Sequence, residues 1–284
     1  PRDKRHPMSQ FATEPYIGKV LSERSFTLEN KVVDDYFKGL NLKPNGLLPS
    51  MVASEPDNNY FNEIAFPNHI GHLWMRQEWE LRQPLVAESN YSVSGEIKDI
   101  YQKRNRNVVQ YEVVLKDESG TISCVSQHHQ SFLAEVPEAA KVEFRDPTKK
   151  PGARKFVIPE GSPFGGLERK ITVQMCGDFF HGDANYHTDK ESSKELGFQD
   201  VVVGGRMTMA YAAAILEEQF GDAWWTSGKL DVKFTNPTWA NDTVTAHGVV
   251  TGESELDPGR IGAFVWLSKP DDSIVLIANA SIEA

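Results

Sequence analysis

The stretch GGRMTMAYAAAILEEQFG, residues 204–221, decides the fold prediction. Ala, Met and Leu are strong helix formers, and Gly221 stands where a glycine commonly ends a helix. The many small side chains allow neighbouring elements to approach closely. We therefore expect a long helix that begins after Gly204-Gly205 and is enclosed by a sheet.

Strand-like alternation of apolar and polar residues follows this helix. It is visible in LDVKFTNP (230–237), DTVTAHGVV (242–250) and IGAFVWLS (261–268). The connections between these segments are too short for helical crossovers, so the strands are expected to be antiparallel. One long helix followed by an antiparallel sheet that can curl around it is the layout of a hot-dog fold.

The chain also repeats itself. QPLVAESNYSVSGEI (83–97) aligns with NPTWANDTVTAHGVV (236–250), which places Gly95 on Gly248, and the same offset continues without a gap through the following turns and strands. Chance identities between unrelated segments would not hold one offset for so long. The predicted fold is therefore α+β, a double hot dog with two repeats, each having a long central helix wrapped by an antiparallel sheet.

Four segments divide the chain on this basis. We expect an N-terminal extension (1–15), an N-terminal hot dog (16–141), a linker (142–163) and a C-terminal hot dog (164–284). The linker is rich in proline, glycine and basic residues, a composition typical of a connection between domains.

Composition excludes some classes of function. The chain has 30 Lys and Arg against 40 Asp and Glu, a formal net charge of −10, which disfavours a nucleic-acid or anionic-membrane partner. No apolar run reaches the roughly 18 residues of a membrane span, and the first residues lack the apolar core of a signal peptide. We expect a cytoplasmic protein in which Cys124 and Cys176 are reduced.

The segment HGDANYHTD, residues 181–189, concentrates the reactive side chains. Two histidines, two aspartates and an asparagine in nine positions are compatible with a metal site, an acid/base site or an ordinary polar loop. Thr188 followed three residues later by Glu191 predicts a capping box, and hence a short helix that Gly197 ends.

The longer run FFHGDANYHTDKESSKELGFQDVVVGGRMT (179–208) resembles the hydratase motif of MaoC-like dehydratases, which include R-specific enoyl-CoA hydratases and the dehydratase domains of fatty-acid synthases. Asp183, Asn185 and His187 match the polar turn of that motif, and Gly205 matches the start of the central helix. Nothing in residues 16–60 supplies a second Asp and His pair. The resemblance implies that the first half is degenerate and gives room for an acyl chain.

The resemblance implies hydration of trans-2-enoyl thioesters, or dehydration of 3-hydroxyacyl thioesters in reverse. In this chemistry an aspartate and a neutral histidine hold a water and transfer protons, while a helix N-terminus stabilises the enolate oxygen. His187 and Asp183 would hold the water and transfer the protons, and the Gly205 N–H would stabilise the enolate oxygen. Asn185 would brace the turn, and Gly204 would permit a backbone path that a side chain would obstruct.

One departure from the family pattern affects the acid partner. Only Tyr186 separates Asn185 from His187, whereas the family commonly has one residue more. Asp189, near the start of the short helix, is therefore an alternative partner to Asp183.

The resemblance implies an acyl-thioester substrate carried by coenzyme A or acyl carrier protein, and no metal or redox cofactor. A basic segment is the candidate for the phosphates of coenzyme A: Lys149, Lys150, Arg154 and Lys155. Hot dogs often associate edge to edge, and a double one already contains one such pairing. Both a monomer and a homodimer are therefore compatible with the sequence.

Three other functions stay open. The protein could be an acyl-thioester binding module whose catalytic site has decayed. It could be a hot-dog thioesterase, although such enzymes commonly have a carboxylate on the central helix, and Glu217 and Glu218 are expected to be solvated residues of its last turn. A non-haem iron site of His181, Asp183 and His247 is the third.

Overall fold

The computed structural model describes residues 14–68, 71–135 and 156–284. The strands in these residues are β1 (Val20–Thr27), β2 (Leu73–Leu81), β3 (Asn90–Lys103), β4 (Arg106–Asp117), β5 (Ile122–Leu133), β6 (Ser162–Lys170), β7 (Lys229–Phe234), β8 (Thr243–Glu253), β9 (Arg260–Ser268) and β10 (Ile274–Glu283). The α-helices are α1 (Asn30–Leu40), α2 (Ser54–Asp57), α3 (Phe61–Ile64), α4 (Val173–Phe179), α5 (Lys190–Glu195), α6 (Gly205–Phe220) and α7 (Asp222–Ser227). Most of the predicted linker lies outside the described residues, and its last positions belong to β6.

The strands form one antiparallel sheet in the order β1-β3-β4-β5-β2-β7-β10-β9-β8-β6. From outer edge to centre, the first five strands follow the same order as the last five, so the strands of one half repeat those of the other. The two copies are joined where β2 pairs with β7, with Trp79 opposite Leu230. Hydrogen bonding across this junction makes the two sheets continuous.

Two glycines aligned by the sequence repeat have equivalent surroundings. A Cβ on Gly95 would lie 3.0 Å from the Leu21 side chain of β1, and a Cβ on Gly248 would lie 2.3 Å from the Phe164 ring of β6. Each glycine therefore admits a side chain from the edge strand of its own half. The repeat seen in the sequence is a repeat of packing.

Helix α6 packs against β6, β8, β9 and β10, as its composition predicts. It has no polar face of any length: the buried positions run almost without interruption from Arg206 to Glu217. A helix buried on all sides needs small or apolar residues all round, which explains the Ala and Met content. Gly221, with a φ of 56°, ends it.

The prediction of a long central helix in both repeats is wrong for the first half. There, a 3₁₀ turn (Ser50–Ala53), α2, a second 3₁₀ turn (Asn58–Tyr60) and α3 occupy the corresponding place. Pro56 cannot donate a backbone hydrogen bond, and Asn58 and Asn59 favour turns over helix, so the segment breaks into single turns. Its apolar side chains are nevertheless buried, Met51 and Tyr60 completely.

The described residues contain no helix with both the length and the apolar character needed to cross a membrane.

Candidate active site

The polar motif forms a loop between α4 and α5 that is braced by its own side chains. Thr188 Oγ1 accepts a hydrogen bond from the Asn185 N–H at 2.9 Å and donates to the Asp183 carbonyl at 2.7 Å. Asn185 Oδ1 accepts from the His187 N–H at 2.8 Å. Asn185 and Thr188 thus fix the backbone on both sides of His187.

Asp189, not Thr188, caps α5. Its carboxylate accepts hydrogen bonds from the Ser192 N–H at 2.8 Å and from Ser192 Oγ at 2.9 Å, and these bonds lower the pKa of Asp189. The predicted capping box is therefore wrong by one residue, because Thr188 is used to close the preceding turn. The Asp189 carboxylate is committed to the helix and does not contact His187.

His187 is held in one tautomer. Its Nδ1 lies 2.7 Å from the carbonyl oxygen of Val202, which can only accept, so Nδ1 carries the proton. Nε2 then presents a lone pair, and no described residue hydrogen-bonds to it. Phe180 stacks on the imidazole with the ring centroids 5.0 Å apart, and Tyr186 covers another side.

The same surroundings keep His187 neutral. Burial is the largest cause, because a charged imidazole loses solvation there, and the nearby Arg206 charge adds to it. Together these outweigh the hydrogen bond to Val202, which favours the charged form. The pKa of His187 falls to about 4. At neutral pH the imidazole is therefore uncharged, with a lone pair on Nε2.

Close contacts require a glycine both at Gly204, just before α6, and at Gly205, its first residue. A Cβ on Gly204 would lie 2.7 Å from the Phe180 ring, which in turn stacks on His187. A Cβ on Gly205 would lie 2.9 Å from the Trp74 ring. As the first residue of α6, Gly205 has an N–H without a partner inside the helix, where the helix dipole favours negative charge.

The Asp183 side chain is exposed. Among the described residues, no group hydrogen-bonds its carboxylate, and it has no direct hydrogen bond to His187. The structure thus brings His187, Asn185, Gly204 and Gly205 together around one site, with Asp183 on the outer part of the same loop.

Sequence reasoning missed a charged network that connects the two halves beside this site. The Glu55 carboxylate of α2 accepts from His181 Nε2 at 2.7 Å and pairs with the Arg206 guanidinium of α6. His181 Nδ1 donates to Asp35 at 2.8 Å. The sequence carries no signal for it, because Asp35 and Glu55 are far from the motif along the chain.

The charges in this network stabilise one another. The hydrogen bond to Glu55 is the main cause that raises the pKa of His181. Burial opposes ionisation of Glu55, but Arg206 and His181 outweigh it and lower the pKa of Glu55 to about 2. Arg206 also lies over the Phe179 ring, with its guanidinium carbon 5.0 Å from the ring centroid. The network fixes α2 against the N-terminus of α6.

The three candidate iron ligands do not form a common site. Both ring nitrogens of His181 are engaged by carboxylates, whereas His247 lies in β8, stacks on Trp266 and is 3.1 Å from Ser268 Oγ. The described part of the chain contains no cluster of three or more His, Cys, Asp or Glu side chains with metal-binding geometry.

Glu217 is not solvated, contrary to expectation, whereas Glu218 is exposed. Glu217 Oε1 accepts hydrogen bonds from the Ser50 N–H at 2.8 Å and from Ser50 Oγ at 2.6 Å. Burial raises the pKa of Glu217 to about 7. It lies about 18 Å along α6 from Gly205, given the rise of an α-helix. This carboxylate of the central helix is therefore remote from His187.

The remaining sequence candidates are placed as follows. Cys124 and Cys176 are free and buried, and burial raises the pKa of the Cys176 thiol to about 11. The basic candidates for phosphate binding all lie outside the described residues: Lys149, Lys150, Arg154 and Lys155.

Comparison with solved structures identifies the class of protein as a double hot dog. A MaoC-like dehydratase has a TM-score of 0.70 at 16% identity, covering 94% of this chain and 98% of that chain. A MaoC-like dehydratase from Phytophthora capsici has a TM-score of 0.69 at 16% identity, covering 94% and 95%. A Mycobacterium tuberculosis protein described as having a double hotdog fold has a TM-score of 0.63 at 12% identity, covering 94% and 96%.

Comparison with family models identifies a domain in the second half. Residues 158–262 match the MaoC-like domain, which includes the loop of His187 and all of α6. The second half of the chain thus contains a MaoC-like domain, as its motif predicts. A comparison with curated protein sequences finds no match.

Proposed function

We propose that the protein is a hydro-lyase that adds water to trans-2-enoyl thioesters and, in reverse, dehydrates 3-hydroxyacyl thioesters. The observation that carries the proposal is the neutral His187, whose Nδ1 is bound to the Val202 carbonyl and whose Nε2 lone pair is available. It lies beside the unpaired N–H groups at the start of α6. A base and a site for developing negative charge are two of the elements that this reaction requires.

The chemistry follows from these groups. His187 Nε2 takes a proton from water as the water oxygen forms a bond to C3 of the enoyl thioester. The electron pair of the C2–C3 double bond moves toward the thioester carbonyl. The resulting enolate oxygen accepts a hydrogen bond from the Gly205 N–H. The proton taken up by Nε2 then passes to C2, directly or through Asp183, as the carbonyl re-forms, which returns His187 to its neutral state. In the reverse direction the same groups remove the C2 proton and release water.

The second proton-transfer group is proposed to be Asp183. Its carboxylate belongs to the same braced loop as His187 and has no competing partner among the described residues. A water held between Asp183 and His187 would bridge the two side chains. Asp189 is the weaker candidate because its oxygens accept the Ser192 donors that start α5.

The acyl group would arrive on coenzyme A or acyl carrier protein. For coenzyme A, the phosphates would bind the basic segment that contains Lys149, Lys150, Arg154 and Lys155. Reversing the charge of these residues should raise KM for an acyl-CoA and leave kcat nearly unchanged.

One observation favours a second candidate, an acyl-thioester binding module without catalysis. The Asp183 carboxylate does not hydrogen-bond His187, so the pair expected from the motif is not preassembled. A thioesterase has less support, because the central-helix carboxylate Glu217 is bound to Ser50 far from His187.

A hydration assay distinguishes these candidates. The loss of the conjugated thioester absorbance of a short trans-2-enoyl-CoA would be followed for the wild type, Asp183→Asn and Asp189→Asn, with and without a chelator. We expect turnover that a chelator leaves unchanged, that falls about a hundredfold or more in Asp183→Asn, and that is largely retained in Asp189→Asn. Binding of acyl-CoA without turnover would favour the binding module, and release of free thiol would favour a thioesterase.

A further inference from the structure

The first half presents a wall of rings to the candidate active site. The Trp74 ring packs against Gly205, where a Cβ would lie 2.9 Å from Cε3. Beside it, His72 packs edge-on against Tyr186 with the ring centroids 5.4 Å apart, and Tyr186 in turn covers His187. One wall therefore faces both the helix N-terminus and the catalytic histidine.

A β-bulge places Trp74 in this wall. Along β2, Arg76 pairs with His129 and Trp74 pairs with Gln130, so Met75 is the extra residue between them. Without the bulge, strict alternation would put Trp74 on the opposite face of the sheet from Gln77. Instead Trp74 lies on the inner face and donates from Nε1 to Gln77 Oε1 at 3.2 Å. Bulges next to sites commonly redirect a side chain in this way.

Trp74 is supported from behind by a stack of rings. It lies flat on His128, with the ring centroids 4.5 Å apart and an interplanar angle of 10°. His128 lies in turn on Tyr111 at 4.8 Å. Both supporting side chains are almost completely buried. A ring held between other rings cannot swing aside without leaving a cavity.

A buried polar network fixes the stack. The Asp57 carboxylate accepts from Gln77 Nε2 at 3.1 Å and from Ser126 Oγ, and lies 3.5 Å from His128 Nδ1. Gln130 then connects His128 Nε2, at 3.2 Å, to His72 Nδ1, at 2.9 Å. Displacing any member would leave buried polar groups without partners, which typically costs about 1–3 kcal/mol for each group.

We propose that this wall, defined by His72 and Trp74 and backed by the network of Asp57, limits the substrate to short acyl groups. The inference rests on the proposed function, because the acyl chain must extend from a thioester carbonyl held at Gly205. The expectation that the degenerate half gives room for an acyl chain stays a prediction, which the proposed wall narrows to short chains. The interior of that half is occupied by rings and hydrogen-bonded side chains.

A chain-length series tests the wall on the wild-type protein. kcat/KM would be measured for the trans-2-enoyl-CoA thioesters of butenoic, hexenoic and decenoic acid. We expect butenoyl-CoA to exceed decenoyl-CoA by at least about tenfold, since excluding even one methylene from a closed pocket changes rates by that order. Equal or faster turnover of decenoyl-CoA would overturn the proposal.

Variants of two tryptophans in β2 provide the matched comparison. Trp74→Ala and Trp74→Leu should raise the ratio of decenoyl-CoA to butenoyl-CoA turnover by at least about tenfold. Trp74→Phe, which keeps a flat ring, should retain the wild-type order. Trp79→Phe is the control, because Trp79 is buried in the same strand and contacts Met209 of α6. An equal shift of the ratio in Trp79→Phe would contradict a specific role for Trp74.

Binding separates failure of the wall from failure of the proposed function. The affinities of saturated butanoyl-CoA and decanoyl-CoA would be measured by calorimetry. Tighter binding of butanoyl-CoA without any hydration would support the wall and reject the hydratase. Hydration together with tighter binding and faster turnover of the ten-carbon thioesters would reject the wall and keep the hydratase.

Discussion

One backbone carbonyl fixes the tautomer of His187. The Val202 oxygen accepts the proton on Nδ1 and thereby assigns the lone pair to Nε2, while the packing of Phe180 and Tyr186 disfavours the charged ring. A histidine of ordinary pKa, about 6.5, would be partly protonated at neutral pH and partly inactive as a base. Burial thus keeps the side chain neutral over a wide pH range, as the proposed role of a base requires.

The pH dependence of activity follows with a definite sign. As the proposed base, His187 would act in its neutral form. Its pKa is lowered to about 4, so kcat/KM should keep its plateau as the pH falls to about 5 and decrease only below that. A pH profile of enoyl-CoA hydration measures it, with circular dichroism at each pH to confirm that the protein stays folded. An acidic limb centred near pH 6.5 would contradict the environment assigned to His187.

Gly204 gives a second prediction at this scale. In Gly204→Ala the new methyl group would overlap the Phe180 ring, which must move and disturb the stacked His187. We expect kcat to fall about tenfold or more. Gly177→Ala in α4 is the matched control, because a Cβ there meets nothing within 4 Å. That control should keep wild-type activity, with its stability equal to or slightly above that of the wild type. Equal losses in both variants would argue against the predicted contact.

The sequence predicted the residues of the site better than their partners. His187, Asn185 and the two glycines lie in one short motif whose spacing is visible in the chain. Thr188 does not cap α5, because its hydroxyl closes the preceding turn, and Asp189 caps the helix instead. Glu55 could not be foreseen, because its contact with Arg206 depends on how the two halves pack.

Helix α6 was predictable as an element because its composition and its glycine boundaries agree. Its counterpart in the first half was not, because a repeat in the strands does not require a repeat of the helix. Pro56 and the asparagines after it break that segment into short turns. The burial of Glu217 was also missed, since its partner Ser50 comes from this irregular segment.

Glu217 predicts a pH-dependent stability. Its pKa is raised from 4.5 to about 7, so its contribution to the free energy of unfolding is fully present below pH 4.5 and is lost as the pH rises through about 7. The loss would be about 3 kcal/mol. Glu217→Gln keeps an oxygen for the Ser50 donors and removes the charge. Its stability relative to wild type should therefore rise by about that amount from pH 4.5 to pH 8.

Urea denaturation at the two pH values measures this difference. Glu218→Gln is the control, because the neighbouring side chain is exposed and should show no such trend. A pH-independent difference between Glu217→Gln and the wild type would contradict a protonated, buried Glu217.

The two halves share one sheet and one core in the described residues. The sheet continues through the pairing of β2 with β7, where Arg76 makes two 2.8 Å hydrogen bonds to Asp231. A single cluster of buried apolar residues includes side chains of both halves. The network of Glu55 and Arg206 adds a charged link beside the active site.

We therefore expect cooperative unfolding in a single transition. Far-ultraviolet circular dichroism and tryptophan fluorescence should give the same midpoint in urea, because Trp74 and Trp79 report on the first half and Trp224 and Trp225 on the second. Separate midpoints for the two signals would show that the halves unfold independently. That outcome would also weaken the proposal that the first half fixes a rigid wall at the site of the second.

The internal repeat was predictable from the sequence, because one alignment offset relates several strands of the first half to those of the second. The sequence could not predict that rings and polar side chains fill the interior of the first half. That packing depends on a bulge that redirects Trp74 and on hydrogen bonds among Asp57, Gln77 and His128. Such networks join residues of different elements and leave no periodic pattern in the chain.

The most direct test of the account is hydration of trans-2-butenoyl-CoA by the wild type, His187→Gln and His247→Gln, with the fold of each protein checked by circular dichroism. We predict turnover by the wild type, retained in His247→Gln and reduced about 10² to 10⁴-fold in His187→Gln. Undiminished turnover in a folded His187→Gln protein, or no turnover by the wild type, would contradict the central claim that His187 is the base of a hydratase.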